Sequence, residues 1–452
     1  MMAPEDHLFI APREKVMTEN NRQSNVAVAQ AVLDDPTHYI GSVATMAAKN
    51  ELNAAQDILS ASGIKLVAGG TRIDAGLQEK LRGHRFSGTG LETGLSIAGG
   101  VSPVSLATDI GRLIDSDAWH ARLTAKSGDP GALRHAVAHL KLPQEILFRL
   151  TVARDQRPDL YQHSLNVAII GHYLALRSSL GTARIDNVLI AALCHDLGEL
   201  HIDPAILDSG HRVSDQERRF IYVHPIIGWL MVRDLPGINA EVASAILEHQ
   251  ERLDGSGYPH GRTADQLGLP GRILAAADVS ASIMARFGDN RRLSTLLRLN
   301  GNKYDAKIIT LLHEAIVEDA EPPGHSEHGS LVRRLTGFVS LLDSWAKLRA
   351  AAESAQAIHG DFLADRMFNL RTAIIRCGFD PDSLDMPLKL AEEDSTIAAE
   401  LTNVVDELQF QLADLSRECD RRAEELTASL APHLVTALTE WRAQLKACTE
   451  NR

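Results

Sequence analysis

The chain is short of aromatic residues. Phe, Trp and Tyr make up 4% of its 452 residues, so a core must be filled by Leu, Ala, Ile and Val. An apolar content of 44% is enough for a sizeable one. Cysteine is also scarce. Cys194, Cys377, Cys419 and Cys448 lie far apart and form no Cys-X-X-Cys pair. That excludes a zinc ribbon or disulfide framework and fits a reducing compartment. Positive charge is in deficit: the net charge of −13 argues against a polynucleotide binder, which needs a basic stripe. No run approaches the ~20 apolar residues of a membrane span. The first residues, Met1 to His7, include no basic segment followed by an apolar one. A soluble, cytoplasmic chain with no membrane insertion is therefore expected. The Walker A, HExxH and GxSxG patterns are absent as well.

The length suits roughly two to four domains. Residues 1–40 are polar, with little periodicity, and read as a loose or partly helical arm. Asp57 to Ile73 reads as short strands broken by Gly turns, with Asp74 placed to cap a helix through Leu81. Ser87 to Ser105 is rich in Gly and Ser and reads as a connector. From Ala107 onward the pattern is helical almost throughout. Residues 41–149 are thus expected to be a small β-containing module with connecting helices. Residues 318–330 read as a linker and 331–452 as a helical region. Within it Leu401, Val405, Leu408, Leu412, Leu415 and Cys419 form a seam of alternating four- and three-residue steps. The seam suits an amphipathic helix packed on its own domain, and these helices could also carry a homodimer contact.

What is present is chemistry in unusual places. His195-Asp196 sits inside an apolar, helix-like run that begins at Val188, and polar groups there are costly unless something pairs with both. A divalent metal would. His163 shares a helix face with Val167, Ile170 and Leu174, and Asp159 lies one turn before it. Ser214 to Glu217 is a capping box that opens the helix leading to His224, after which Pro225 should bend the chain. His249 shares a face with Val242 and Ile246, and Asp278 sits inside Ile273 to Val279. Distant helices would each aim one or two ligands inward. Mixed His and carboxylate ligands suit Fe, Mn or Zn. Asp196 could bridge two metals about 3.5–4 Å apart, with a hydroxide held between them as nucleophile toward phosphorus. Other histidines, such as His201, His211 and His260, default to surface roles.

The ordered set resembles a known family. His163, His195-Asp196-Leu197-Gly198, His224-Pro225, His249 with Asp254-Gly255-Ser256-Gly257-Tyr258-Pro259, and Asp278 match the HD-GYP domain, an all-helical subgroup of the HD phosphohydrolases. The match covers residues 150–317. It implies a mainly α fold: an all-helical bundle preceded by the small β-containing module and followed by the helical C-terminal region. It implies metal-dependent hydrolysis of cyclic di-GMP to pGpG or GMP in bacterial second-messenger signalling, with two or three divalent ions, Fe or Mn. Carried over by position, His195 and Asp196 are catalytic. His163, His195, Asp196 and Asp278 would hold one metal, and Asp196, His224 and His249 the second. Asp159 falls where a third-metal carboxylate occurs in trinuclear members. Tyr258, Gly257 and Pro259 would shape the substrate pocket.

Two positions depart from the family. Gln250 stands where a second histidine is usual, and it suits a core hydrogen-bonder better than a ligand. Glu199 stands where a phosphate-contacting Lys is usual, and it is expected to be solvated. The family's Arg-Pro-Tyr segment after Asp278 is also missing. Two further functions therefore stay open: a non-catalytic module binding a nucleotide or a partner protein, and a phosphohydrolase acting on another nucleotide.

Overall fold

A computed structural model describes residues 19–60, 62–73, 90–207, 211, 213–287, 290–316, 328–354, 361–376, 388–389, 391, 395–427 and 430–450. The helix expected from Asp74 to Leu81 and most of the expected linker lie outside the described residues. The protein is mainly α, with a small β region near its N-terminus. It divides into two compact units, one of residues 1–286 and 302–311, the other of 287–301 and 312–452.

The N-terminal stretch is less loose than its polarity suggests. Residues 19–34 form helix α1 (Glu19–Asp34), and α2 (Thr37–Lys49) buries Tyr39, Ile40, Val43 and Met46. The strands expected between Asp57 and Ile73 are present. β2 (Ile58–Leu59) pairs antiparallel with β3 (Lys65–Val67). β4 (Arg72–Ile73) pairs with β1 (Leu52–Ala54), whose other edge takes β5 (Leu95–Ile97), giving the order β4-β1-β5. β5 and the short helix α3 (Gly90–Thr93) fall in the stretch read as a connector. Its Gly and Ser content masked a strand only three residues long. Ser102 then caps α4 (Pro103–Ser116) by a reciprocal bond with Ser105.

Helices α5 (Ala118–Lys126), α6 (Ala132–Ala138) and α7 (Gln144–Gln156) lead into the helices that carry the expected ligands. These are α8 (Pro158–Arg177), α9 (Thr182–Cys194), α10 (Asp215–Tyr222), α11 (His224–Val232), α12 (Ala240–Glu248) and α13 (Leu269–Phe287). Pro158 opens α8 in its first turn, where a missing N–H costs nothing. The Ser214–Glu217 capping box opens α10 as the sequence predicts. Pro225 lies in the first turn of α11, so the break comes just before His224 and not after it. A 3-10 turn, Leu197–His201, follows Asp196 and packs on α11. At Gly198 an added Cβ would stand 2.3 Å from the His224 carbonyl oxygen, so only glycine allows that approach.

One polar cluster joins the β-containing module to this turn. Glu92 of α3 pairs with Arg149 of α7 at 2.5 Å, both nearly sealed from water. The Arg149 Nη1 donates to His201 Nε2 at 2.9 Å. The His201 ring stacks on Tyr39, with centroids 4.9 Å apart. His201 is thus not the surface residue expected. Burial and then the Arg149 charge hold its ring well below the ordinary histidine value, so it stays neutral and accepts.

The second unit is helical: α14 (Asn290–Leu299), then α16 (His328–Ser354), α17 (Asp361–Arg376), α18 (Ser395–Arg421), α19 (Ala423–Thr427) and α20 (Pro432–Glu450), with α15 (Ala306–Ile316) crossing the division. The seam from Leu401 to Cys419 lies on α18, every member buried, in one core with Leu331, Leu335, Trp441 and Leu445. Its heptad spacing serves the unit's own packing.

Two stability changes are expected. Arg149→Ala leaves the Glu92 carboxylate buried without its partner and should cost about 3–5 kcal/mol. Gly198→Ala pushes backbone against backbone and should cost about 1–3 kcal/mol. Thermal and urea denaturation of each variant check both values.

Candidate metal centre

The centre forms where helices end. His195 is the first residue past α9, His249 the first past α12, and His224 follows α10 by two residues. The last carbonyls of a helix have no partner within it. Here they find one. His195 Nδ1 lies 2.8 Å from Ala192 O, His224 Nδ1 2.8 Å from Ile221 O, and His249 Nδ1 2.7 Å from Ile246 O. In each case the ring reaches back three residues. A carbonyl can only accept, so Nδ1 carries the proton and donates. The Nε2 lone pair is thereby left free and fixed in direction, the outer-sphere device that orients metal-binding histidines. The His195-Asp196 pair thus sits at the end of its helix rather than within it.

All three Nε2 atoms point at Asp196. His195 Nε2 is 3.0 Å from Asp196 Oδ2, while His224 and His249 Nε2 are each 3.3 Å from Oδ1. His163 Nε2, from α8, is 3.0 Å from Asp278 Oδ1 and 3.8 Å from Asp196 Oδ2. His195 Nε2 is 4.0 Å from Asp278 Oδ1. Two groups of ligand atoms result, His163 with His195 and Asp278, and His195 with Asp196 and His249, each set lying within 4.8 Å. His224 closes the second group through its contact with Asp196.

These atoms suit a cation. His224 and His249 Nε2 stand 3.1 Å apart. With both protons on Nδ1, two lone pairs face each other with no hydrogen between them. His195 Nε2 and Asp196 Oδ1 are buried and accept no hydrogen bond. Buried polar atoms without partners are rare, and several in one place call for an ion. The donor set, imidazole and carboxylate with no thiolate, fits borderline or hard divalent metals.

Electrostatics follow the same geometry. Burial would raise the Asp196 carboxyl, but the imidazoles that face it, His195 first and then His224 and His249, hold it well below the usual carboxylate range. Burial lowers the His249 ring. At Asp278 burial is outweighed by His163, and the carboxyl ends below its usual value. Exposure shows which side is open. His195, His224, His249 and Asp278 side chains are 0–3% exposed, whereas His163 is 15% and Asp196 14% exposed. The cluster is open to solvent on the side of His163 and Asp196.

Gln250 is not aimed as a ligand. Its Nε2 donates to Asp278 Oδ2 at 2.9 Å, and its Oε1 accepts from Arg252 Nη2 at 3.2 Å. It acts as the hydrogen-bonder expected of it. Arg252 is itself buried, stacked over Tyr304 and donating to the His249 and Glu251 carbonyls. Asp159 joins neither ligand group. Its carboxylate is paired with Arg157, at 3.3 Å from Nε and 3.2 Å from Nη2. Glu199 is not solvated as expected. It is only 20% exposed and lies 3.4 Å from the same Arg157 Nη2.

The Gly-Tyr-Pro loop folds back on the segment after His249. Tyr258 N donates to Gln250 O at 3.1 Å, and a Cβ on Gly257 would stand 2.3 Å from Arg252 N. Tyr258 stacks on Tyr222 at 4.5 Å and presents its edge toward His224 at 6.1 Å. The Pro259 carbonyl accepts from Asn25 of α1 at 3.1 Å. Sequence reasoning missed Arg157, Tyr222 and Arg252. Only Tyr222 had a signal, an aromatic two residues before a candidate ligand.

Comparisons with known proteins find relatives of the segment that carries this centre. The HD domain profile matches residues 132–308. The chain is 30% identical over 167 residues to the cyclic di-GMP phosphodiesterase PA4108 of Pseudomonas aeruginosa, covering 37% of this chain and 38% of that one. It is 26% identical over 160 residues to the cyclic di-GMP phosphodiesterase PdeB of Borreliella burgdorferi, covering 34% and 42%. It is 34% identical over 119 residues to the 3′3′-cGAMP-specific phosphodiesterase 1 of Vibrio cholerae, covering 26% and 27%. Each match therefore spans well under half of the relative's own length. The matched segment contains all six converging side chains and the Gly-Tyr-Pro loop, and residues 132–308 are similar to an HD domain.

Proposed function

We propose that this domain is a metal-dependent phosphodiesterase that opens cyclic dinucleotides, cyclic di-GMP first among them, to pGpG or GMP. One observation carries the reading: four histidines and two aspartates distant in sequence converge, and among them His195 Nε2 and Asp196 Oδ1 are buried with no hydrogen-bond partner. His163, His195, Asp196 and Asp278 would hold one divalent cation, and His224, His249 and Asp196 a second, iron or manganese by donor type. Bound there, the cations would supply Lewis acidity toward a phosphoryl oxygen and acidify a water in the site.

The chain's own residues do the rest. The three Nδ1-to-carbonyl bonds keep each ring in one tautomer and one orientation, so no reorganisation is needed when charge develops. Asp196 offers one oxygen to each half of the cluster and fixes their separation. The open side at His163 and Asp196 admits a phosphodiester, while the buried rings keep bulk water from the far side. Tyr258, with Gly257 and Pro259 setting its loop, forms the wall beside His224 together with Tyr222. On this reading the protein works in the cytoplasm, where its free Cys194 and Cys419 stay reduced. No helix among the described residues is long and apolar enough to cross a membrane.

Two observations favour other readings strongly enough to be tested beside it. Relatives specific for 3′3′-cGAMP share the matched segment, so that ligand is the second substrate to assay. Glu199 in place of a cation, with Gln250 turned to Asp278, favours a module that binds nucleotide without cleaving it.

Protein reconstituted with Mn²⁺ or Fe²⁺ should release pGpG or GMP from cyclic di-GMP, followed by chromatography. The double variant His195→Ala, Asp196→Ala should lose activity by more than about a hundredfold and lose its metal by elemental analysis. Calorimetric binding of the nucleotide with no turnover under either metal would decide for the non-catalytic module. Mn²⁺ at about 100 times its Kd should stabilise the fold by ~2.7 kcal/mol, raising Tm by about 5–10 °C. Chelation by EDTA should reverse that rise.

A further inference from the structure

We propose that the Arg157 guanidinium stands in for a third cation at this centre, so that the chain holds two metal ions and not three. The inference rests on the metal-centre reading above and deepens it. Asp159, by its position one turn before His163, is the carboxylate that would complete a third metal site. The fold gives it to another cation. Arg157 is the residue before Pro158 at the start of α8, and its backbone carbonyl accepts from Tyr161 N at 3.1 Å, which anchors it to the first turn. Its side chain turns along the helix end, where Nε and Nη2 both reach the Asp159 carboxylate.

The same guanidinium meets a second carboxylate. Residues 197–201 form a 3-10 turn, and the Glu199 N–H donates to the Asp196 carbonyl at 2.9 Å. In such a turn, residues three apart eclipse one another, so Glu199 lies on the same side as Asp196. It brings a carboxylate to the rim of the cluster, where Arg157 Nη2 receives it at 3.4 Å. One nitrogen therefore serves Asp159 and Glu199 together. The three carboxylates Asp159, Glu199 and Asp196, the last two largely withdrawn from water, would repel one another. Arg157, 19% exposed and permanently charged, offsets that repulsion.

A third divalent ion would have to displace a tethered cation already making charge-assisted hydrogen bonds to both acids. Neither Asp159 nor Glu199 belongs to the two groups of ligand atoms. The departure of Glu199 from its family's Lys also gains a physical sense. The positive charge has moved to Arg157, and Glu199 holds it beside the cluster.

The test is metal stoichiometry. The full chain, stripped and then saturated with Mn²⁺, is measured by elemental analysis and by titration calorimetry. Two ions per chain are expected, and Asp159→Asn should leave both the ratio and the two affinities within about threefold of the parent. Three ions per chain, falling to two in Asp159→Asn, would overturn the inference alone. Arg157→Ala, checked as folded by circular dichroism, should gain a third and weaker site on the freed carboxylates. A folded variant that stays at two also overturns it. A parent chain that binds one ion or none removes the metal-centre reading and this inference with it.

Discussion

Asp196 is the point on which the structure turns. Its two oxygens are shared among four histidine rings, three of which have their protons committed elsewhere. The contacts of those three with Asp196 are thus acceptor against acceptor, and a positive ion reconciles them. Protonating one ring would satisfy a pair but not the set, because His224 and His249 compete for the same oxygen. The domain is built for a charge that the polypeptide does not itself supply.

Helix termini make the arrangement possible. A last-turn carbonyl buried away from water is a cost wherever it occurs. Placing histidine just past the end of α9 and of α12, and just past α10, satisfies that carbonyl and sets the ring tautomer in the same bond. The scaffold needs no separate outer shell of carboxylates to orient these ligands. This explains why the ligands lie at element boundaries rather than in mid-helix. His163 and Asp278 are the exceptions. They lie within α8 and α13 and use each other as the orienting partner, with Gln250 holding the second oxygen of Asp278.

The sequence made one part of this legible and hid another. His195, His224, His249 and Asp278 stood out because each interrupts or ends an apolar run, a local signal of cost that needs no knowledge of the fold. Short strands around Ile58 and Val67 were readable from their Gly turns. β1 and β5 were not, since a strand of three residues leaves no period to detect. Glu199 was misjudged for a different reason. Its burial depends on a 3-10 turn and on an arginine forty-two positions earlier, and neither is encoded in the neighbouring residues. Asp159 was placed correctly on its helix, but which way its carboxylate turns is decided by Arg157. His201 was read as superficial because a lone histidine usually is; its partners come from α2 and α7.

The Glu92–Arg149–His201 cluster has a consequence for how such a domain can be cut. A fragment started at residue 150, where the motif-bearing helices begin, would sever Arg149 and Glu92 and leave the turn after Asp196 resting on exposed imidazole. The β-containing module is therefore no detachable appendage. It lies beneath the turn after Asp196, and the border of the compact unit runs through residues that precede the profile match at 132.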